Sequence, residues 1–434
     1  RMSDGPQGVG HRIETNAYPC GLALAATWNE KLAYEYGQSL GRDCRARGIH
    51  IILGPAVNIH RAPMCGRNFE YMGEDPYLTA RTTVGYIKGV QSQKVMATVK
   101  HFLANNSDYD RARISNDIDE RTAHEIYFPA FKAAVQEAEV GAVMTSYNLV
   151  NGIYTNENPW LLKDVLRKTW GFNGMVVSDW SAAQYSIPTC NAGMDLEMPG
   201  AEKNKPQEIA YYLRTGYVTM DTINERIRHI LRVIIGFGFL DAQQQDKNIP
   251  LDNPASVETA LKVANEAIVL LKNEKNILPV NPKKYKKIAV VGKNANGYVC
   301  GGGSGSVNPF SYVSAFEGIR KAAEKYGIKA EYVDEYDCFD PIIFTDGSLK
   351  QRGFRACYYN NMNLEGSPVV DQFESRINYS WSSGTGYKGM PADHFSVRWT
   401  GTICSDKNAE YEFTLGGDDG YNLFIDGKKV IDEF

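Results

Sequence analysis

No uninterrupted apolar run in the 434 residues approaches the length of a membrane-spanning helix, so no helical span is expected within them. Excess positive charge is also missing. Lys and Arg number 47 against 51 Asp and Glu, a net charge of -4, which argues against a broadly basic surface for nucleic acid. The eight cysteines (Cys20, Cys44, Cys65, Cys190, Cys300, Cys338, Cys357 and Cys404) form no C-x-x-C pair and have no histidines at zinc-like spacing. They read as scattered thiols, although a Cys338–Cys357 disulfide is open to an extracytoplasmic protein. Neither G-x-G-x-x-G nor a Walker G-K-[ST] occurs at a strand-to-helix junction, which removes the fingerprint of a nicotinamide oxidoreductase or a phosphate-cradling loop. A signal-peptide pattern and an initiating methionine are absent too. The chain opens on Arg1-Met2-Ser3-Asp4 and closes on the strand-like run from Lys428 to Phe434, so a fragment of a longer polypeptide is expected. The missing signal peptide then says nothing about location, and a periplasmic or secreted setting is favoured over the cytoplasm.

The composition is that of a globular chain, 43% hydrophobic and 23% charged. Over residues 1–240, helices alternate with short apolar strands. Glu30–Arg47, Leu78–Ser92, Arg121–Glu137 and Pro159–Lys168 read as helices. Ile49–Leu53, Val95–Val99, Ala142–Ser146 and Gly174–Ser178 read as strands. Apolar strands without polar alternation are covered on both faces, as in a parallel sheet under helices, and the repeated unit fits an α/β (β/α)8-like TIM barrel better than a small open sheet. His101, Tyr147 and Asp179 each stand at or just past the end of a strand, which gathers them at one mouth of such a barrel.

After a linker at 241–253, residues 254–338 read as the start of a second α/β domain. Its elements are a helix from Ala255 to Lys272, a strand from Tyr285 to Val291, a flexible loop at Gly301–Ser306, a helix from Tyr312 to Tyr326 and a strand from Ile328 to Val333. From 339 to 434 the pattern turns all-β. Phe395–Gly401 and Ala409–Leu415 read as strands, and Asn422–Val430 as a hairpin turning at Asp426-Gly427.

Four segments in order, Ser3-Asp4-Gly5-Pro6-Gln7-Gly8, Gly66-Arg67-Asn68-Phe69-Glu70-Tyr71-Met72-Gly73-Glu74-Asp75-Pro76, Lys100-His101-Phe102 and Gly174-Met175-Val176-Val177-Ser178-Asp179-Trp180, resemble the signatures of glycoside hydrolase family 3. Leu270–Glu274, Ile277-Leu278-Pro279 and the Gly301–Ser306 loop resemble that family's entry into an α/β sandwich domain. Trp399-Thr400-Gly401 and Gly417-Asp418-Asp419-Gly420 are similar to a PA14 domain inserted into that sandwich. The resemblance implies an exo-acting retaining β-glucosidase, with Asp179 as nucleophile and with Asp4, Arg67, Lys100 and His101 on the sugar hydroxyls. Tyr147 would lie close to the nucleophile. Trp180 would offer the sugar an apolar face or plug the core beneath it, and Arg121 would make a helix-start ion pair outside the primary site. Phe102–Asp108 lacks the histidine-containing loop of members that cleave N-acetylglucosaminides. This points to the two-domain type, whose acid/base glutamate is then expected beyond Phe434.

The resemblance also implies β-linked glucosides or oligosaccharides as partners, no nucleic acid and no cofactor. A homo-oligomer is compatible with it. Calcium at Asp418 and Asp419 is weighed against a tight turn capped by their carboxylates. β-Xylosidase, β-galactosidase or mixed specificity stay open, as does a carbohydrate-binding protein without catalysis.

Overall fold

The computed structural model describes the chain except for residues 11–12, 201, 334–341, 346–352, 380, 382–383, 406–407, 409, 418–419 and 434. By internal packing the chain separates into two units. The first comprises Arg1–Lys286 with Gly297–Lys321, and the second Lys287–Asn296 with Ala322–Phe434.

The first unit is built on five parallel strands, β1 (Met2–Asp4), β2 (Ile51–Leu53), β3 (Met96–Phe102), β4 (Ala142–Thr145) and β5 (Met175–Val177), which neighbour one another in chain order. The registers Ser3 to Ile52, Ile51 to Met96, Thr98 to Ala142 and Val143 to Val176 carry the ladder across, and Val177 pairs onward with Leu196 through a parallel bridge. Every residue of β2 to β5 is buried, as expected of strands covered on both faces.

The covering helices include α1 (Glu30–Arg47) and α2 (Pro76–Gln91). Asn29 caps α1 by accepting from the Leu32 N–H, Gly48 ends it in the left-handed region, and Asp75 caps α2 with Pro76 at the first helical position. The two helices touch backbone to backbone. A Cβ on Gly37 would lie 2.2 Å from the Tyr86 carbonyl oxygen, and one on Gly89 would lie 2.2 Å from that of Tyr34.

Three expected helices are altered. Arg121–Glu137 is interrupted, with a π-helical stretch at Ala123–Tyr127 before α3 (Pro129–Gln136). Pro129 offers no N–H and its ring crowds the carbonyl four residues back, so the helix widens ahead of it. The Trp160–Thr169 helix is also π-helical. Further along come α4 (Met220–Gly236) and α5 (Pro254–Glu266). The latter stops six residues before the expected Lys272, because Ile268-Val269-Leu270-Leu271 cannot all share one helix face. It is tied to α1 by Ser39 Oγ–Thr259 Oγ1 (2.9 Å) and by the Ser256 hydroxyl, which donates to Asp43 (2.9 Å).

The second unit has a parallel pair, β6 (Lys287–Val291) with β7 (Lys329–Val333), followed by antiparallel pieces. These are β8 (Ile342–Thr345) with β12 (Thr402–Ser405), a sheet in which β9 (Phe354–Tyr359) lies between β10 (Val370–Glu374) and β11 (Ser396–Thr400), and the hairpin β13 (Tyr421–Ile425) with β14 (Lys428–Glu433). The hairpin turns at Asp426-Gly427 as expected, with φ of 49° and 77°, the pair of positive values that a two-residue type I′ turn needs. For the expected strand at Ala409–Leu415, residue 409 lies outside the described residues and no ladder is described for 410–415 among them. Asp418, Asp419 and Cys338 lie outside the described residues, and with them the calcium and disulfide readings.

Candidate active site

The side chains singled out for catalysis and sugar binding fall in the first unit, and Asp4, Lys100, His101, Tyr147 and Asp179 lie at or just past the C-terminal ends of the parallel strands. Asp4 closes β1, and its carbonyl accepts from the Gly10 N–H at 3.0 Å. The third strand runs three residues further than expected, so Lys100 and His101 lie within it rather than after it. Tyr147 follows β4 by two residues and Asp179 follows β5 by two.

Asp179 is the centre. Its carboxylate is buried, with the residue 8% exposed, and Oδ1 accepts from the Trp180 N–H at 2.7 Å. Oδ2 has no hydrogen-bond partner and faces Arg67 Nη1 at 3.7 Å and His101 Nε2 at 3.6 Å. Buried polar atoms are nearly always satisfied, so an unpaired carboxylate oxygen and an unpaired imidazole nitrogen facing each other mark a place where a polar ligand completes the bonding. Arg67 opens a 3-10 turn and is held by Glu70 Oε1 at 2.5 Å, while Glu70 Oε2 reaches Lys100 Nζ at 3.8 Å. Glu70 and Lys100 are each 2% exposed, which makes the chain Asp179–Arg67–Glu70–Lys100 a buried alternation of charge.

The histidine is held from behind. Asn58 Oδ1 accepts the His101 backbone N–H at 2.9 Å and lies 3.3 Å from Nδ1, and Asn58 Nδ2 donates to the His101 carbonyl at 2.9 Å. An Nδ1–H donated to Asn58 leaves Nε2 to accept from a hydroxyl. Burial, followed by the charges of Arg67, Lys100 and Arg111, drives His101 well below its ordinary pKa, so the ring is neutral.

Burial raises the Asp179 carboxyl above its usual range, while Arg67, Lys100, the Trp180 N–H and Arg111 pull it back. Burial would lower the Arg67 guanidinium, but Glu70, Tyr71 and Asp179 outweigh it and the pKa is raised. Burial and the charge of Asp179 raise the Tyr147 phenol, keeping it a neutral donor. Trp180 is 58% exposed, which rules out the core-plug reading and leaves its ring open at the rim.

Glu70, Asn58 and Arg111 were missed in the sequence. Glu70 stands three residues after Arg67, and the spacing of opposite charges was the available signal. Arg111 stacks its guanidinium on the Tyr147 ring at 4.3 Å, a contact no local pattern announces. The glycine loop also joins this unit. A Cβ on Gly301 would lie 2.1 Å from the Phe69 ring and one on Gly305 would lie 2.8 Å from it, so the loop seats on the residue between Arg67 and Glu70 only because it has no side chains there. Arg121 is exposed and pairs with Glu125 at 2.9 Å, the helix-start ion pair expected of it. Among the described residues no three His, Cys, Asp or Glu side chains converge as a metal site, and no helix is long and apolar enough to cross a membrane.

Comparison with known proteins agrees with this geometry. Residues 2–233 match the glycosyl hydrolase family 3 N terminal domain, and residues 350–434 match the PA14 domain. A beta-glucosidase of Rhizobium radiobacter is 37% identical over 447 residues, covering 100% of this chain and 53% of that protein. A probable beta-glucosidase I of Aspergillus niger is 40% identical over 329 residues, which cover 74% of this chain and 40% of that protein. Among solved structures, beta-glucosidase 3B from Thermotoga neapolitana in complex with glucose superposes with a TM-score of 0.68 at 36% identity, over 76% of this chain and 47% of that one. The chain spans about half the length of the curated relatives it matches.

Proposed function

The chain belongs to glycosyl hydrolase family 3, and from that premise we propose that it carries the nucleophile and sugar-binding site of an exo-acting, retaining β-glucosidase. In this reading β1 to β5 and the Leu196 bridge are an arc of a (β/α)8-like barrel, and residues 350–434 are part of a PA14 insertion in the following α/β domain. The observation that carries the function is the Asp179 carboxylate, with one oxygen anchored by the Trp180 N–H and the other unpaired between Arg67 and His101.

The chemistry follows from that geometry. The free oxygen, Oδ2, attacks the anomeric carbon as the glycosidic oxygen leaves with a proton from a carboxylic acid on the other side of the bond. Water then attacks the glycosyl ester, giving up a proton to the same group and releasing glucose and the Asp179 carboxylate. Asp4, Arg67, Lys100 and His101 bind the terminal sugar's hydroxyls, where a mismatched epimer leaves buried polar groups unpaired. Tyr147 steadies the nucleophile, and the exposed Trp180 ring offers an apolar face.

The test uses the full-length protein and a panel of aryl β-glycosides. The β-glucoside is expected to turn over fastest, Asp179→Asn is expected to lose activity while keeping its circular dichroism, and a 2-deoxy-2-fluoro-β-glucoside should leave its ester on Asp179. Labelling mapped to another carboxylate overturns the assignment, and a preferred xyloside or galactoside overturns the specificity.

A further inference from the structure

At the N-terminal end of β5, the opposite end of the strand from Asp179, a cavity of about 390 Å³ opens beside the Trp160–Thr169 helix and α4. Its walls carry the cations Lys163, Arg167, Lys168 and Arg226 and the imidazole of His229 against two carboxylates, Asp195 and Glu225. One of the carboxylates is already committed. Asp195, its side chain 1% exposed, accepts from Arg167 Nη2 at 2.6 Å, the Val176 N–H at 2.7 Å and His229 Nδ1 at 2.9 Å. Glu225 alone is left to balance Lys163, Lys168 and Arg226.

The two guanidinium heads are set before any ligand arrives. Arg226 is held by the Asp195 carbonyl at 3.3 Å and by Cys190 Sγ at 2.9 Å. Arg167 gives Nη1 to the carbonyls of Phe172 (3.3 Å) and Gly174 (3.2 Å), but its buried Nε has no partner. The lining has no Phe, Tyr or Trp on which a neutral sugar ring could stack. Its volume lies within the roughly 300–1,000 Å³ of small-molecule sites, larger than a bare ion requires.

We propose that this cavity is a binding site for a phosphate-type oxyanion, either inorganic phosphate or a small phosphomonoester. Fixed guanidinium donors beside two exposed lysines, with positive charge in excess, are the chemistry that recognises such a group. The site is separate from the one at Asp179. Asp195 bonds to Val176, three residues earlier in the strand direction, or about 10 Å at the rise of an extended chain.

The test is calorimetric titration of the full-length protein with inorganic phosphate, glycerol 3-phosphate and glycerol, with saturating glucose occupying the first site. One or both anions should bind saturably and glycerol should not, the tighter anion identifying the source. The Lys163→Ala/Lys168→Ala variant should melt at the wild-type temperature and bind about tenfold more weakly, the sum of two partly exposed charge contacts. Arg226→Gln should abolish binding, and if that variant does not fold, the lysine pair still decides. No saturable binding of either anion, or equal affinity in the lysine variant, overturns the proposal.

Discussion

Two opposing forces act on Asp179. Burial favours its neutral form, and the cations around it favour the ionised form that can attack. Since the ionised carboxylate is the nucleophile in the proposed reaction, kcat/KM rises with pH as this group loses its proton. Arg67 at 3.7 Å lowers that pKa, so removing it raises the pKa. The acid limb of the Arg67→Gln profile is therefore expected to move to higher pH, and the plateau to fall by about 2–4 kcal/mol in transition-state stabilisation, the scale of a lost preorganised donor. Trp180→Phe, at a rim position that keeps an aromatic face, should cost less and leave the limb where it is. The full-length enzyme's pH–rate profiles on an aryl β-glucoside check both. A lower plateau with an unmoved limb would mean that Arg67 holds the sugar without acting on Asp179.

Elements are positioned by contacts that a side chain would spoil. The α1–α2 contact relies on Gly37 and Gly89, so Gly89→Ala, whose new Cβ meets the Tyr34 carbonyl at 2.2 Å, should lower stability by about 1–3 kcal/mol in urea unfolding. The contrasting Gly236→Ala, in the last turn of α4 with nothing within 4 Å of the new Cβ, should be neutral or stabilise by up to about 1 kcal/mol. Equal effects would mean that propensity rather than close approach governs both sites. Such contacts also explain what the amino-acid sequence disclosed. β2 to β5 were legible because an unbroken apolar run buried on both faces is local information, and His101, Tyr147 and Asp179 could be gathered at one mouth because strand ends converge, whereas Arg67 and Lys100 were singled out by the family resemblance. The end of α5 at Glu266 depends on neighbours, which a local pattern does not contain. So does the seating of Gly301 on Phe69. The π-helical stretch before Pro129 had its signal in the proline, which the periodicity of Arg121–Glu137 outweighed.

At the scale of the whole molecule the question is where the proton for the leaving group resides. The proposed retention needs two carboxyl groups about 5–5.5 Å apart across the scissile bond, and Asp179 is the one we propose. Glu70 holds Arg67 at 2.5 Å and Lys100 at 3.8 Å, and Asp108 pairs with Arg111 at 3.3 Å, so these two carboxylates serve cations. Asp4 sits at the end of β1, where the proposed role is hydroxyl binding. We propose, as part of that reading, that the acid/base is a glutamate outside residues 1–434, the chain spanning about half the relatives' length. The first chemical step is separable from that group, because a dinitrophenolate departs without protonation and a phenolate does so poorly. Residues 1–434, verified as folded, should be glycosylated on Asp179 by dinitrophenyl 2-deoxy-2-fluoro-β-glucoside, detected by peptide mass spectrometry, yet leave phenyl β-glucoside intact. The full-length protein should react with both. Comparable kcat values of the two polypeptides on phenyl β-glucoside would put the proton donor within residues 1–434 and overturn the assignment.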